Sequence, residues 1–304
     1  MDVYLPIANL SVDGFVIILL GALTGILSGL FGVGGGFLTT PLLIFYGVPP
    51  TVAAASASTQ VTGASVSGVF AHTRRNGVDY KMGAVTVAGG LIGIGVGALL
   101  FGFFQSVGQI DVVINVLYVV MLGAIGALML REALTALLPA KDGGGPVARK
   151  RRHHPFVTAL PLRWRFYRSG LYISPFAPFL LGIAVGALTM LMGVGGGFIL
   201  VPAMLYILGM SASVVVGTSL FQILFVTMAT TMMHALTTQA VDLVLAGLLL
   251  LGSVSGAQIG SWIAQKAKPE LLRLILASVV LLVAVRMLYG LGVQPDEYYT
   301  VSPL

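Results

Sequence analysis

An all-α polytopic membrane protein, built from two copies of one five-segment unit turned opposite ways, is the fold class that the sequence predicts. Three observations predict it. The 304 residues are 57% hydrophobic and 9% charged, with a mean hydropathy of +1.01, whereas soluble domains carry about 25% charged residues. The apolar residues come in runs long enough for lipid to be their solvent. The pattern GVGGGF, with a proline four residues after the phenylalanine, occurs at Gly32–Pro41 and again at Gly193–Pro202.

The rest of the chain repeats around that pattern. A shift of 161 residues lays Gly32–Phe37 on Gly193–Phe198, Pro41 on Pro202, Gly21 on Gly182 and Gly25 on Gly186. One residue of drift lays Gln60 on Gln222 and His72 on His234. One more lays Val78-Asp79 on Val241-Asp242, and the ladder Gly89, Gly93, Gly97 on Gly252, Gly256, Gly260. So many ordered coincidences mark an internal duplication. The expected organisation is a first transmembrane repeat over 1–138, a basic linker over 139–176, a second repeat over 177–292 and an external tail over 293–304.

The N-terminal MDVYLPIANLSVD has two aspartates and no Lys or Arg, so it lacks the positive start of a cleaved signal peptide. Helical segments are expected at about 14–31, 37–47, 52–72, 81–104 and 112–131, then at about 177–192, 198–209, 212–234, 242–265 and 271–290. The second segment of each copy, at ~1.5 Å rise per residue, spans roughly half of a ~30 Å hydrocarbon core. The expectation is about eight full spans plus two half-length helices, each half-length helix preceded by a glycine break. With 40 glycines, close packing between helices is expected. With no cysteine, disulfides, thiolate metal sites and thiol redox chemistry are excluded.

Fifteen of the sixteen Lys and Arg lie in three regions: Arg74 to Lys81, Arg131 to Arg168, and Lys266 to Arg273. With five segments per copy these fall on one side, expected to be cytoplasmic, with residues 131–176 among them and both termini outside. The two copies are then antiparallel, an inverted repeat of the kind that gives a secondary transporter two exchangeable states. The sixteenth, Arg286, stands near the outer end of the last helix, either snorkelling to the interface or contacting an anion. The linker holds eight basic residues and one acidic. It reads as a positive-inside loop or as a segment docking anionic lipid headgroups, RWRFYR having interfacial character. It has no recognisable nucleic-acid fold, and His153-His154 alone make no metal site.

A phosphate loop would need Lys and Ser/Thr after the glycines or a strand before them; neither copy has these. In hydrocarbon, non-helical backbone survives where protein buries it or a wet cavity adjoins it. Two breaks at matching positions of an inverted repeat point to a substrate site. The candidate residues are Gly32, Gly34, Gly35 and Gly36 in the first break, and Gly193, Gly195, Gly196 and Gly197 in the second. Their N–H groups, at the start of a new helix near Phe37 and Phe198, favour an anion. In copy one, Thr40 is a candidate N-cap with Pro41 as first helical residue. The third segments supply Ser58, Thr59 and Gln60, matched by Thr218, Ser219 and Gln222; hydroxyls and amides donate to an oxyanion without carrying charge, and equally serve interhelical packing. Asp79 and Asp242 read as helix N-caps, and His72 and His234 as interfacial hydrogen-bonding groups. No Asp or Glu lies mid-span, which argues against a hard-cation site.

These residues carry a resemblance. GLFGVGGGFLTTPLL, its second copy MLMGVGGGFILVPAML and the Gly89/Gly93/Gly97 ladder resemble the sulfite exporter TauE/SafE family of membrane permeases over nearly the whole chain apart from linker and tails. The resemblance implies export of small sulfur oxyanions or organosulfonates across a bacterial inner membrane by a non-enzymatic permease without cofactor or metal. Its partners would be the anion, membrane lipids and, in an assembly, further copies of the chain, with no nucleic acid. Permeation of another small anion or a cation, and a non-transporting scaffold or assembly factor, stay open at this point.

Overall fold

A computed structural model describes residues 2–31, 35–74, 76–137, 163–264 and 269–292. Among these residues are ten helices and two antiparallel hairpins. Strands β1 (Asp2–Leu5) and β2 (Leu10–Asp13) lead into α1 (Gly14–Phe31), α2 (Gly36–Phe45), α3 (Pro50–Arg74), α4 (Tyr80–Ser106) and α5 (Ile110–Leu137). Strands β3 (Trp164–Phe166) and β4 (Leu171–Ile173) lead into α6 (Phe176–Met192), α7 (Gly197–Tyr206), α8 (Ala212–Thr237), α9 (Leu243–Ala264) and α10 (Pro269–Gly292). Helix ends fall within three residues of expectation except at the end of α5, which continues six residues past Arg131.

Five helices, α4, α5, α8, α9 and α10, are long and apolar enough to cross a membrane, where about eight were expected. The other three fall short for local reasons. α1 and α6 stop at the glycine breaks after 18 and 17 residues, which is ~25–27 Å at ~1.5 Å per residue. α3 has 25 residues but is dense in Ala, Ser and Thr.

The hairpins give both leading segments a structure that the sequence did not announce. Within RWRFYR, Trp164–Phe166 pairs with Leu171–Ile173 and buries Phe166. The same 161-residue shift relates the two hairpins. Leu5↔Leu10 corresponds to Phe166↔Leu171, and the left-handed turn residues Asn9 (φ 51°) and Gly170 (φ 65°) coincide. The basic run Arg149–Arg152, with His153 and His154, lies outside the described residues.

Each hairpin gathers corresponding helix ends. β1–β2 buries Leu5, Ala8 and Val12 against the start of α1, the end of α2 and the starts of α3 and α9 (Ile17, Leu43, Val52, Leu245). β3–β4 buries Phe166, Leu171 and Ile173 against α6, the end of α7 and the starts of α8 and α4 (Val185, Met204, Val214, Met82). α3 thus leaves the first hairpin and α8 leaves the second. They cross antiparallel, stitched by Ser58–Thr231 at 3.0 Å and Thr62–Thr227 at 2.8 Å.

The tightest pairs mix the copies. α1 lies along α9, and α4 along α6. A Cβ on Gly21 or Gly25 would sit 2.5 or 2.4 Å from the carbonyls of Leu249 and Ser253, while Gly252, Gly256 and Gly260 press on those of Ile18, Ala22 and Ile26. The counterpart is identical in plan: Gly89 and Gly93 meet the Phe179 and Ile183 carbonyls, and Gly182 and Gly186 those of Thr86 and Gly90. Small residues at this spacing let backbones touch, which is how helices associate where lipid is as apolar as leucine.

Two aspartates tie the hairpins to these rods. Asp79 caps α4, its Oδ1 accepting from Met82 N–H at 3.1 Å and its Oδ2 from Ser169 N–H at 3.0 Å and the Ser169 hydroxyl at 2.5 Å. Asp242 caps α9, its Oδ1 accepting from Val244 and Leu245 N–H and its Oδ2 from Ile7 N–H, each at 3.1 Å. The backbone N–H of Asp79 donates to Thr218, and that of Asp242 to Ser56. The N-cap expectation holds at both positions.

Candidate functional site

The two helix breaks meet between α3, α8, α5 and α10. In the second break Gly193 ends α6 in a left-handed conformation (φ 70°), donating to the Thr189 carbonyl at 2.8 Å, and Gly196 (φ 73°) precedes α7 in the same conformation. Side chains rarely tolerate that geometry. Space forbids them as well: a Cβ on Gly193 would lie 2.0 Å from the Ala54 carbonyl of α3. Gly195 faces Val61 of α3 with Ile223 and Thr227 of α8. In the first break Gly32 and Gly34 lie outside the described residues. Gly35 backs onto the Thr24 carbonyl of α1, and Gly36, opposite Gly197 in the repeat, sits under Val61 and toward the Gly193 and Val194 carbonyls. Val61 therefore bears on both breaks.

The helix starts confront each other. Phe37 stacks on Phe198 with ring centroids 4.5 Å apart and planes 6° from parallel. The core around them is closed by Ile114, Tyr118 and Leu122 of α5 with Leu276, Val280 and Val283 of α10. Thr40 is not the N-cap: α2 begins at Gly36, so Thr40 lies inside the helix and its hydroxyl donates 3.4 Å across to the Met192 carbonyl. Pro41 and Pro202 each stand sixth in their helices, where a proline withdraws the donor due to the Phe37 or Phe198 carbonyl. A short helix tolerates this because each break already interrupts the ladder. The Met192 carbonyl has a second donor, the hydroxyl of Tyr118 at 2.6 Å. Tyr118 is fully buried and was not among the expected site residues. Its one sequence signal is a phenol in the middle of an aliphatic span, where a hydroxyl needs a partner.

Gln60 and Gln222 are buried. The Gln60 amide nitrogen lies 3.4 Å from the Thr24 hydroxyl, while its oxygen has no partner among the described residues. Neither Gln222 polar atom has one; its nitrogen faces Gly90, 3.4 Å from where a Cβ would stand. Each glutamine directly precedes a residue, Val61 or Ile223, that packs on Gly195. A buried polar atom without a partner costs about 1–3 kcal/mol.

The hydroxyls divide. Ser58 and Thr59 both meet Thr231 on α8, within the α3–α8 crossing. Thr218 is at the Asp79 junction, and Ser219 donates to the Val216 carbonyl. His234, in the last turn of α8, is buried: its Nε2 faces the Met190 carbonyl at 3.0 Å, its Nδ1 the Thr238 hydroxyl at 3.2 Å, and its ring abuts Phe101. Among the described residues no group of three or more His, Asp or Glu is placed to hold a metal.

Comparison with known proteins covers most of the chain. Residues 17–287 match the family model described as Sulfite exporter TauE/SafE. The chain is similar to the probable membrane transporter protein YjnA of Bacillus subtilis, 30% identical over 277 residues that make up 90% of this chain and 98% of that protein. It is similar to the probable membrane transporter protein MJ0441 of Methanocaldococcus jannaschii, 25% identical over 87% of this chain and 91% of that protein. Over 48 residues, 16% of this chain and 11% of the relative, it is 50% identical to Sulfite exporter TauE/SafE family protein 6 of Arabidopsis thaliana. No solved structure matches.

Proposed function

Because this chain belongs to the sulfite exporter TauE/SafE family and is a multi-pass membrane permease, we propose that it exports small sulfur-containing anions, sulfite or organosulfonates, by alternating access across a bacterial inner membrane. The observation that carries this reading is the pair of buried glutamines, Gln60 and Gln222, with amide atoms unpartnered beside the glycine breaks. An oxyanion entering there would take the unpartnered Gln222 amide N–H groups, the Gln60 N–H not directed at Thr24 and helix-start N–H groups, with no negative charge beside it. The proposed shell is Gly32, Gly34–Gly36, Gly193 and Gly195–Gly197 with Gln60 and Gln222, and Thr40 at its edge. Phe37 and Phe198, stacked face to face, close it in the state described here.

The two repeats are proposed to stand inverted in the membrane, termini outside and the basic loops inside. Antiparallel α3 and α8, and hairpins that collect matching helix ends, support this arrangement. The moving bodies are then not copy against copy. Backbone-to-backbone packing of α1 with α9 and of α4 with α6 makes each rigid body from both copies, with the α3–α8 crossing between them. The basic linker over 139–176 remains a proposed cytoplasmic segment that meets anionic lipid headgroups.

The test is counterflow of 35S-sulfite and labelled sulfonates in proteoliposomes of the purified chain. Wild type should transport at least one of them, and Gln60→Ala with Gln222→Ala should lose at least tenfold in rate while melting normally. Absence of flux for every anion offered overturns the proposal.

A further inference from the structure

Arg286 is the one basic side chain outside the three basic regions. It lies on α10 at the end of the bundle that holds the first hairpin. Its guanidinium sits 5.4 Å over the ring of Phe45, at the end of α2. Beside it, Ile44 and Phe45 of α2, Asn115 of α5, and Met287 and Gly290 of α10 line a cavity of about 220 Å3. At ~30 Å3 per water this holds an oxyanion with several waters. None of the lining residues is acidic. The Asn115 Oδ1 is buried and has no hydrogen-bond partner among the described residues.

We propose that Arg286 and Asn115 form an oxyanion site at this end of the bundle, distinct from the helix breaks, that takes one phosphate-, sulfite- or sulfonate-type group. The arginine fork is permanently charged and matches two oxygens of such a group at once. The Asn115 amide either donates to a third oxygen or accepts from a protonated one. Phe45 holds the guanidinium at this cavity by a cation–π contact at 5.4 Å. The same chemistry is offered by a free oxyanion and by the phosphate of an anionic lipid.

The experiment measures 35S-sulfite and 35S-sulfate binding to the full chain by equilibrium dialysis in nanodiscs of neutral lipid, and repeats it with phosphatidylglycerol present. Arg286→Gln should lower the binding stoichiometry by one. Gln60→Ala with Gln222→Ala should leave that increment intact, so failure at the breaks and failure here are told apart. Arg286→Lys should retain the site at least tenfold more weakly, and serves as a folding control together with the melting curve. Competition by phosphatidylglycerol assigns the site to a lipid headgroup. If only the lipid binds in an Arg286-dependent way, the proposal stands with that source. Identical stoichiometry in wild type and Arg286→Gln, with and without the anionic lipid, overturns it. So does binding that appears only after Asp296→Asn and Glu297→Gln, since the tail's own carboxylates would then be the occupant.

Discussion

The two hairpin–aspartate junctions share a backbone plan and differ in side chains. At the first hairpin, Asp242 receives one hydrogen bond from the loop, the Ile7 N–H. At the second, Asp79 receives the Ser169 N–H and the Ser169 hydroxyl, and Arg168 donates to the Val78 carbonyl at 2.9 Å. The 161-residue shift sets Ile7 opposite Arg168 and Ala8 opposite Ser169. Both aspartates thus accept a main-chain N–H from their hairpin, but from positions one residue apart, and the second copy adds two side-chain fastenings.

The comparison is sharpest where packing is matched, and there the largest effects should be equal. Gly93→Leu and Gly256→Leu each drive a side chain into a carbonyl that a bare Cβ would already approach to 2.2 Å. Both should exceed the ~1–3 kcal/mol usual for overpacking and abolish monodisperse protein in detergent gel filtration. A large difference between them would break the equivalence of the α4–α6 and α1–α9 rods.

Smaller effects should be unequal. Ser169→Ala removes a hydroxyl bond to a buried carboxylate and should lower stability by about 1.5–3 kcal/mol, read from thermal unfolding, making the second junction resemble the first. The reverse graft, Ala8→Ser, should stabilise or stay neutral. Tyr118→Phe leaves the Met192 carbonyl with only the long Thr40 bond and should cost about 1 kcal/mol; the matching region of α10 has only aliphatic residues, so no partner substitution exists. At the bottom of the scale, Gly95→Ala and Gly247→Ala meet no atom within 4 Å. They should change the melting curve little, or raise it slightly because alanine favours helix. Destabilisation at either would refute the assigned helix faces.

Much of this was legible in the sequence because it depends on local pattern. Apolar runs and glycine spacing located all ten helices, and an aspartate at a helix start declared Asp79 and Asp242. The hairpins escaped because strands of three or four residues carry too little alternation to register, and because RWRFYR reads equally as an interfacial strip. The pairing of α1 with α9 escaped for a different reason. A glycine ladder announces that a helix will be approached closely, and says nothing of which helix approaches. Gln60 and Gln222 were visible as matched positions, but that the Gln60 oxygen and both Gln222 amide atoms lack partners among the described residues is a property of the assembled core. Tyr118 became a site residue only when the Met192 carbonyl was placed beside it.

The pairing of Gly21 with Leu249 has a consequence for biogenesis. α1 emerges from the ribosome more than 200 residues before the helix that it must embrace. Contacts so distant in sequence form late, and the first half waits in the bilayer with its groove unfilled. A chain cut in the linker should therefore give two fragments that are each degraded when made alone and rescue one another when made together.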